Sequence, residues 1–479
     1  MRICITNPCW REGDRKGIRA GCRMPNIIVD GQSTFVPFPF MLAYATAVLE
    51  AAGVEVMLLD AIAEDLDEET YFQRVCAFAP DLVINEMATA SYSVDVAVAR
   101  RLKELTGARI AVCGPHPSAT PTQVLEQSCI DFVLVGEIEA TVPALVQALE
   151  TGSPLADVAG LAFRTQEGQV VVNPRRELIA DLDALPYPHR ATLPMQRYCV
   201  AGYPSPVLYM YASRGCPYKC NYCLWPQTMY QSGNYRRRQP ETIVEEIEFA
   251  QRTLGPFKSI YFDDDTFNFG REHLLRFAEL LASRPWRLAW GCNARADQFD
   301  EELMTRLAAV GLFNIRIGVE SGDPEILRRA QKQLDLDSIQ RCIEMAHRVG
   351  VKVHVTFTIG LSGESWESVK RTVAFAKSIS PDSIGFTITT PFPGTAYYDE
   401  AVEKGYLSTL DWNEFNAVTH SVLRTEHLSV EEITRAEKWA MKQVYSSPAY
   451  LLRRFKYAIS GRELLAVLRK GSRLVLGRY

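Results

Sequence analysis

The sequence has no uninterrupted apolar run of about 18 residues, the length a helix needs to cross a bilayer. Its first ten residues, MRICITNPCW, hold too short an apolar stretch for a secretory signal. Positive charge is not in excess: 52 Lys and Arg stand against 57 Asp and Glu, a net −5. That balance argues against a nucleic-acid partner held by bulk charge. The chain is also not cysteine-dense, with 12 cysteines in 479 residues, so an extracellular disulfide scaffold is excluded. Scattered cysteines such as Cys4, Cys76, Cys113, Cys129 and Cys342 read as buried packing, and a reducing cytoplasm is the expected setting.

What is present is an ordinary globular composition, 47% hydrophobic, in a chain long enough for two to four domains. Over residues 1–150, short apolar runs alternate with helical patterns. RICITNP, VEVMLLD, DLVINEMA, RIAVCGP and DFVLVGE read as strands. FMLAYATAVLEAAG, YFQRVCAFAP, SVDVAVARRLKELTG, PTQVLEQSC and ATVPALVQALETG read as helices. Continuous apolar strands between helices imply a doubly wound α/β domain with a parallel sheet covered on both faces. Ligands of such sheets sit at the carboxyl ends of the strands. Thr89 and Ser91 follow the third strand, Gly114 and His116 the fourth, and Gly136 and Glu137 the fifth. Glycines let a ligand approach the backbone and hydroxyls offer hydrogen bonds, although ordinary strand-end turns would carry the same residues. Residues 151–200 read as a connector, with a hairpin in FRTQEGQVVVNPRRE and a proline-rich strap in LIADLDALPYPHR.

The alternation resumes over residues 201–405 with six strand–helix units, which point to a partial (β/α)6 barrel. Its first strand, VLYMYAS, runs into SRGCPYKCNYCLWP. Cys216, Cys220 and Cys223 lie within eight residues, and the next cysteine is Cys292. Structural zinc takes four ligands, commonly as two pairs, and no fourth partner lies nearby. Three thiolates on a [4Fe–4S] cluster would leave one iron open for chemistry.

C-x3-C-x2-C with Tyr222 before the last cysteine, placed after the first strand of a six-unit barrel, resembles the radical S-adenosylmethionine (radical SAM) superfamily. The resemblance implies a [4Fe–4S] cluster on Cys216, Cys220 and Cys223 whose open iron chelates S-adenosylmethionine and cleaves it to a 5′-deoxyadenosyl radical. It implies that Asp264 and Asp265 in YFDDDTF meet the methionine amino end, and that Glu320 and Ser321 in GVESG meet the ribose. Gly360 and Leu361 in TIGLSGES would border the adenine with Tyr222. Ser362 stands where the family usually has proline. Arg295 in CNARAD could pair with the methionine carboxylate or form a salt bridge within the barrel. Residues 1–150 resemble the cobalamin-binding domain that precedes many of these enzymes. The Asp-x-His-x-x-Gly motif of classical cobalamin domains is absent, so the resemblance implies a corrinoid without a histidine below cobalt, with His116 of GPHPS on the loop lining the cofactor. CLWPQT, FDDDTF, CNARAD and PFPGT together resemble the radical SAM proteins of hopanoid lipid biosynthesis.

The family implies an electron donor such as flavodoxin or ferredoxin and a small-molecule, lipid-like substrate. Two chemistries follow from it: methylation of an unactivated carbon, or a cobalamin-assisted rearrangement, cyclisation or ring contraction without net methyl transfer. A tRNA methylthiotransferase shares the barrel, but this sequence lacks that group's extra N-terminal cluster cysteines and its β-rich tail. No catalytic acid, base or hydrogen donor is identified. Residues 406–479 read as a helical C-terminal extension. From Met441 onward nine bases face one acid, Glu463, a charge of about +8 that suits an anionic membrane surface or a solvated cap over the barrel.

Overall fold

The structure is a computed structural model that describes residues 1–13, 15–19, 26–28, 35–448 and 450. The basic segment from residue 451 on, read as membrane-facing helices or a solvated cap, lies outside the described residues. Among the described residues no helix is long and apolar enough to cross a membrane.

The first sheet has seven strands. Five are parallel, in the spatial order Glu55–Asp60, Arg2–Asn7, Leu82–Glu86, Arg109–Cys113 and Phe132–Leu134. They are apolar because helices cover both faces: Ile3, Ile5, Val83, Ile84, Ile110 and Val112 are fully buried. The hairpin read as part of the connector extends this sheet. Its strand Leu161–Arg164 pairs antiparallel with Phe132–Leu134 and is edged by Val170–Val172. The strand order reverses between Arg2–Asn7 and Leu82–Glu86, which makes that crevice the switch point of the sheet. Helix Glu68–Phe78 begins at Asp67, whose side chain accepts from Thr70 N at 2.7 Å, a cap that contributes about 1 kcal/mol.

The second sheet has six parallel strands in sequence order, from Val207–Met210 to Ser383–Ile388. The intervening helices lie outside, so the sheet curls into the expected partial barrel. The cysteine segment is more structured than a loop. Ser213–Gly215 pairs antiparallel with Tyr235–Arg237, and a short helix, Leu224–Thr228, follows Cys223.

Helix Val430–Tyr445 closes the last barrel strand. It opens with a Ser429–Glu432 capping box, and Tyr445 Oη donates to Ile384 O at 2.5 Å. The two large domains meet through buried ion pairs: Arg214 lies 2.9 Å from Glu137 and 2.7 Å from Glu139, and Arg236 lies 2.8 Å from Glu137.

Candidate functional site

Cys216, Cys220 and Cys223 are half-buried and free of disulfides at the mouth of the barrel. The loop that carries them is fixed by a side-chain amide. Gln227 Nε2 lies within hydrogen-bond distance of the carbonyls of Cys220 (3.2 Å), Asn221 (3.0 Å) and Cys223 (2.9 Å). Its own oxygen accepts from Ala396 N at 2.9 Å. Asn221 adds bonds from its backbone and side chain to the carbonyls of Ala330 and Arg329. Nothing in the C-x3-C-x2-C spacing pointed to Gln227; only the amide's reach back along the short helix reveals it.

Several expected cofactor contacts have partners inside the protein. Asp264 accepts from Ala212 N at 3.1 Å and Ser213 Oγ at 2.5 Å, and Asp265 accepts from Gly215 N at 3.1 Å. Both carboxylates thus brace the backbone leading into Cys216. Arg295 forks onto Asp297 at 3.0 and 2.9 Å, donates to the carbonyls of Lys332 and Gln333, and lies 3.5 Å over the Tyr218 ring. The Arg295–Asp297 pair is a salt bridge within the barrel. Ser321 is fully buried, 3.0 Å from Thr372 Oγ1, and does not line the cleft.

Gly360 adopts φ 102°, donates to Glu364 Oε2 at 2.5 Å and accepts from Tyr397 Oη at 2.6 Å. Leu361 packs with Ile326, Ala330 and Tyr222. Burial pushes the Glu364 carboxyl up to about 8, so it is largely protonated at neutral pH.

Glu320 and Tyr222 do face the expected space. Glu320 has φ 70° at a bulge of the fourth barrel strand, Leu312–Glu320, a costly conformation outside glycine. A Cβ on Gly318 would come within 2.3 Å of Glu320 Oε1, so the missing side chain there makes room for the carboxylate. Lys332, which the sequence reading missed, lies 2.8 Å from Glu320 and 3.4 Å from Tyr222 Oη. Burial alone would lower the Lys332 ammonium, but Glu320 and Cys220 raise it above its ordinary value, so it stays charged. Burial likewise raises the Cys220 thiol, and Lys332 opposes that rise.

These groups border a cleft of about 210 Å³. Its walls are Tyr222, Cys223, Leu224, Trp225 and Glu320 on one side, and Thr356, Thr358, Thr387, Thr389 and Phe392 on the other. Alternation along the fifth and sixth strands turns these threonines inward. Period-2 reading of KVHVTFTI would have found two of them.

At the carboxyl ends of the first sheet, a small space is lined by Arg19, Glu86, Thr89, His116 and Trp225, among others. His116 lies on a short helix, Pro115–Ala119, rather than on a loop. Its Nδ1 is 3.1 Å from Thr89 Oγ1, and its buried Nε2 has no partner among the described residues. Burial pulls its pKa down to about 3, which keeps the imidazole neutral. Gly114 is required before it: φ is 117°, and a Cβ would meet Met87 O at 2.6 Å. Gly136 N donates to Ser118 Oγ at 2.9 Å.

Ser91 and Glu137 do not present free groups to this space. Ser91 Oγ donates to Asp95 at 2.6 Å and accepts from Arg19 at 3.1 Å, and Glu137 is consumed by the interdomain arginines and Ile179 N. Arg19, within RKGIRAGCRMPN, sits at the switch point. It donates to Asn7 Oδ1 at 2.9 Å and Pro8 O at 2.7 Å, and pairs with Asp95 at 2.7 Å. A third small space lies at the domain interface beside Arg214, Glu139 and Trp225.

The donor sets match two kinds of cofactor. Among the described residues, no three of His, Cys, Asp and Glu converge on a point that one metal ion could occupy. Three separated thiols on one braced loop suit the corners of an iron–sulfur cube. At the first sheet, the imidazole, hydroxyl and indole groups suit the amide-bearing rim of a corrinoid.

Comparison with known proteins agrees. Residues 210–376 match the radical SAM superfamily and residues 27–146 match the B12 binding domain. The chain is 28% identical over 417 residues to an uncharacterized methyltransferase of Pyrococcus horikoshii, covering 87% of this chain and 89% of that one. It is 28% identical over 392 residues to the anaerobic magnesium-protoporphyrin IX monomethyl ester cyclase of Rubrivivax gelatinosus, covering 80% and 69%. The hopanoid C-3 methylase of Methylococcus capsulatus is 26% identical over 396 residues, covering 81% and 72%. The solved structure of OxsB, a cobalamin-dependent S-adenosylmethionine radical enzyme, shares the fold at a TM-score of 0.75 and 14% identity, covering 100% and 71%. The cofactors of this group are a [4Fe–4S] cluster, S-adenosylmethionine and cobalamin. The chain thus carries a radical SAM domain preceded by a B12 binding domain.

Proposed function

We propose that the protein is a cobalamin-dependent radical SAM methyltransferase acting on an unactivated carbon of a small molecule. The observation that carries this reading is the shared position of Trp225, which borders both the thiol-bearing cleft of the barrel and the strand ends of the first domain. The two cofactor chemistries therefore meet at one interface.

Cys216, Cys220 and Cys223 hold the cluster, and Gln227, Asp264 and Asp265 fix the loop that presents them. Glu320, Lys332 and Tyr222 border S-adenosylmethionine. A carboxylate accepts from ribose hydroxyls, and an ammonium pairs with a carboxylate. Leu361 packs behind Tyr222, and Gly360 shapes the turn through Glu364. Thr89, Gly114, Gly136 and His116 border the corrinoid. When bound, the cluster supplies the electron that cleaves S-adenosylmethionine to a 5′-deoxyadenosyl radical, and cobalamin supplies the methyl group. The threonine wall with Ile388, Phe392 and Ala417 suits a substrate of mixed polar and apolar surface, lipids included. An electron donor of the flavodoxin or ferredoxin kind completes the cycle. A reducing cytoplasm suits cysteines held for a cluster.

The likeness to a cyclase supports one second reading, a rearrangement or cyclisation without net methyl transfer. Anaerobic reconstitution followed by iron and cobalt analysis tests the cofactors, with about four irons expected. Incubation with methyl-labelled S-adenosylmethionine and small-molecule extract tests the reaction. Labelled product supports methylation. 5′-Deoxyadenosine with an unlabelled new product selects the second reading. Absence of both cobalt and 5′-deoxyadenosine overturns the assignment.

A further inference from the structure

Trp225 follows Cys223 by two residues and occupies the first turn of the short helix Leu224–Thr228. It lines all three spaces described above: the cleft at the mouth of the barrel, the small space at the strand ends and the small space between the domains. The side chain is 6% exposed, and its Nε1 has no acceptor among the described residues. A buried indole N–H normally finds a partner. Here it stands among cavities rather than in a closed core, which is where a ligand acceptor can reach it.

The backbone around Trp225 is tied to both domains. Arg175, next to the hairpin of the first sheet, donates to Thr228 O at 2.9 Å and to Ser118 O at 3.1 Å. Gln227 holds the cysteine loop at the same time. The helix therefore cannot shift toward one domain without disturbing the other. A bulky ring on that helix is a wall common to both cofactor sides.

We infer that Trp225 is a positioning residue that couples the two cofactor sites, so that occupancy on the corrinoid side changes affinity on the S-adenosylmethionine side. This rests on the cofactor placement proposed above. A shared wall carries coupling because a ligand pressing on one face fixes the ring's position for the other. The indole N–H donates to an acceptor on the amide-bearing rim of the corrinoid.

The test uses the full chain, reconstituted anaerobically with its cluster. The dissociation constant of S-adenosylmethionine is measured by equilibrium dialysis with and without hydroxocobalamin. In the natural protein the two values should differ by about fivefold or more, and by reciprocity S-adenosylmethionine should shift hydroxocobalamin binding by the same factor. Trp225→Ala should bring the two values within about twofold while iron content and the absorbance of the cluster stay unchanged. Trp225→Phe keeps a wall but loses the donor. It should retain the coupling and weaken hydroxocobalamin binding by about fivefold, the worth of one hydrogen bond. If Trp225→Ala loses its cluster, Trp225→Leu is read in its place.

Coupling that is equal in the natural and substituted proteins overturns the inference. So does a natural protein that binds both ligands independently. A residue that only packs the interface would lower the melting temperature and leave the coupling factor unmoved. Failure of the natural protein to bind either ligand overturns the cofactor placement itself, and this inference with it.

Discussion

The ammonium of Lys332 lies 2.8 Å from the carboxylate of Glu320, and both are largely buried at the mouth of the barrel. Lys332 stands between Gln331 (φ 54°) and Gln333 (φ 50°), two left-handed residues whose turn carries it back toward the fourth strand. The pair joins the expected ribose contact to a cation beside the cysteine loop.

Lys332→Met leaves Glu320 buried without its partner. Removing one member of a buried pair costs about 3–5 kcal/mol, so the melting temperature should fall by several degrees. Affinity for S-adenosylmethionine should fall about tenfold or more, as loss of a charge-assisted contact predicts. Calorimetry and equilibrium dialysis read the two effects. An unchanged affinity would remove Lys332 from the binding site.

Gln227→Leu is close in volume but cannot hold the carbonyls of Cys220, Asn221 and Cys223. The cluster should still assemble, but iron should be lost about two to five times faster on exposure to a chelator, an effect of about 0.5–1 kcal/mol. By contrast, Cys216→Ala, Cys220→Ala or Cys223→Ala should abolish the 400 nm absorbance and 5′-deoxyadenosine formation together.

The pH dependence of stability has a defined sign at Glu364. Its folded pKa of about 8 lies above its ordinary value of 4.5. The folded state thus binds the extra proton, and this group's stabilising contribution is full below about pH 4.5 and is lost as pH rises toward 8. Glu364→Gln mimics the protonated acid and can still accept from Gly360 N. Melting temperatures of the two proteins should be similar at pH 5, and the variant should melt higher at pH 8.5. Parallel profiles across that range would show that Glu364 does not titrate there.

Arg214 carries the interface between the domains, pairing with Glu137 and Glu139 while stacking 4.8 Å over Tyr44. Arg214→Met leaves Glu139 without its ion-pair partner and leaves Glu137 with Arg236 alone. A loss of about 3–5 kcal/mol is expected, together with earlier proteolysis between the domains. The iron content should persist, since the cluster loop has its own supports. A melting temperature within a degree of the natural protein would show that the interface is held by packing instead.

Most of the fold was legible in the sequence. Each of the five apolar runs of the first domain became a parallel strand, and the six strand–helix units became the partial barrel. The C-x3-C-x2-C spacing and the GVESG strand end also pointed to the mouth of the barrel, where Cys223, Tyr222 and Glu320 line one cleft. The polar assignments fared differently. Asp264, Arg295 and Ser321 all sit beside strand ends as expected, yet each spends its hydrogen bonds on protein neighbours.

The physical reason is range. Strand and helix formation follows from periodic apolar residues and local backbone sterics, and thiol spacing is a property of eight consecutive residues. These the sequence determined by itself. The partner of a polar group depends on which elements become neighbours after folding. Lys332 meets Tyr222 across 110 residues and Arg214 meets Glu137 across 77. Trp225 reads in sequence as one more apolar residue after a cysteine. Only the packing of two domains against its helix put it between three cavities.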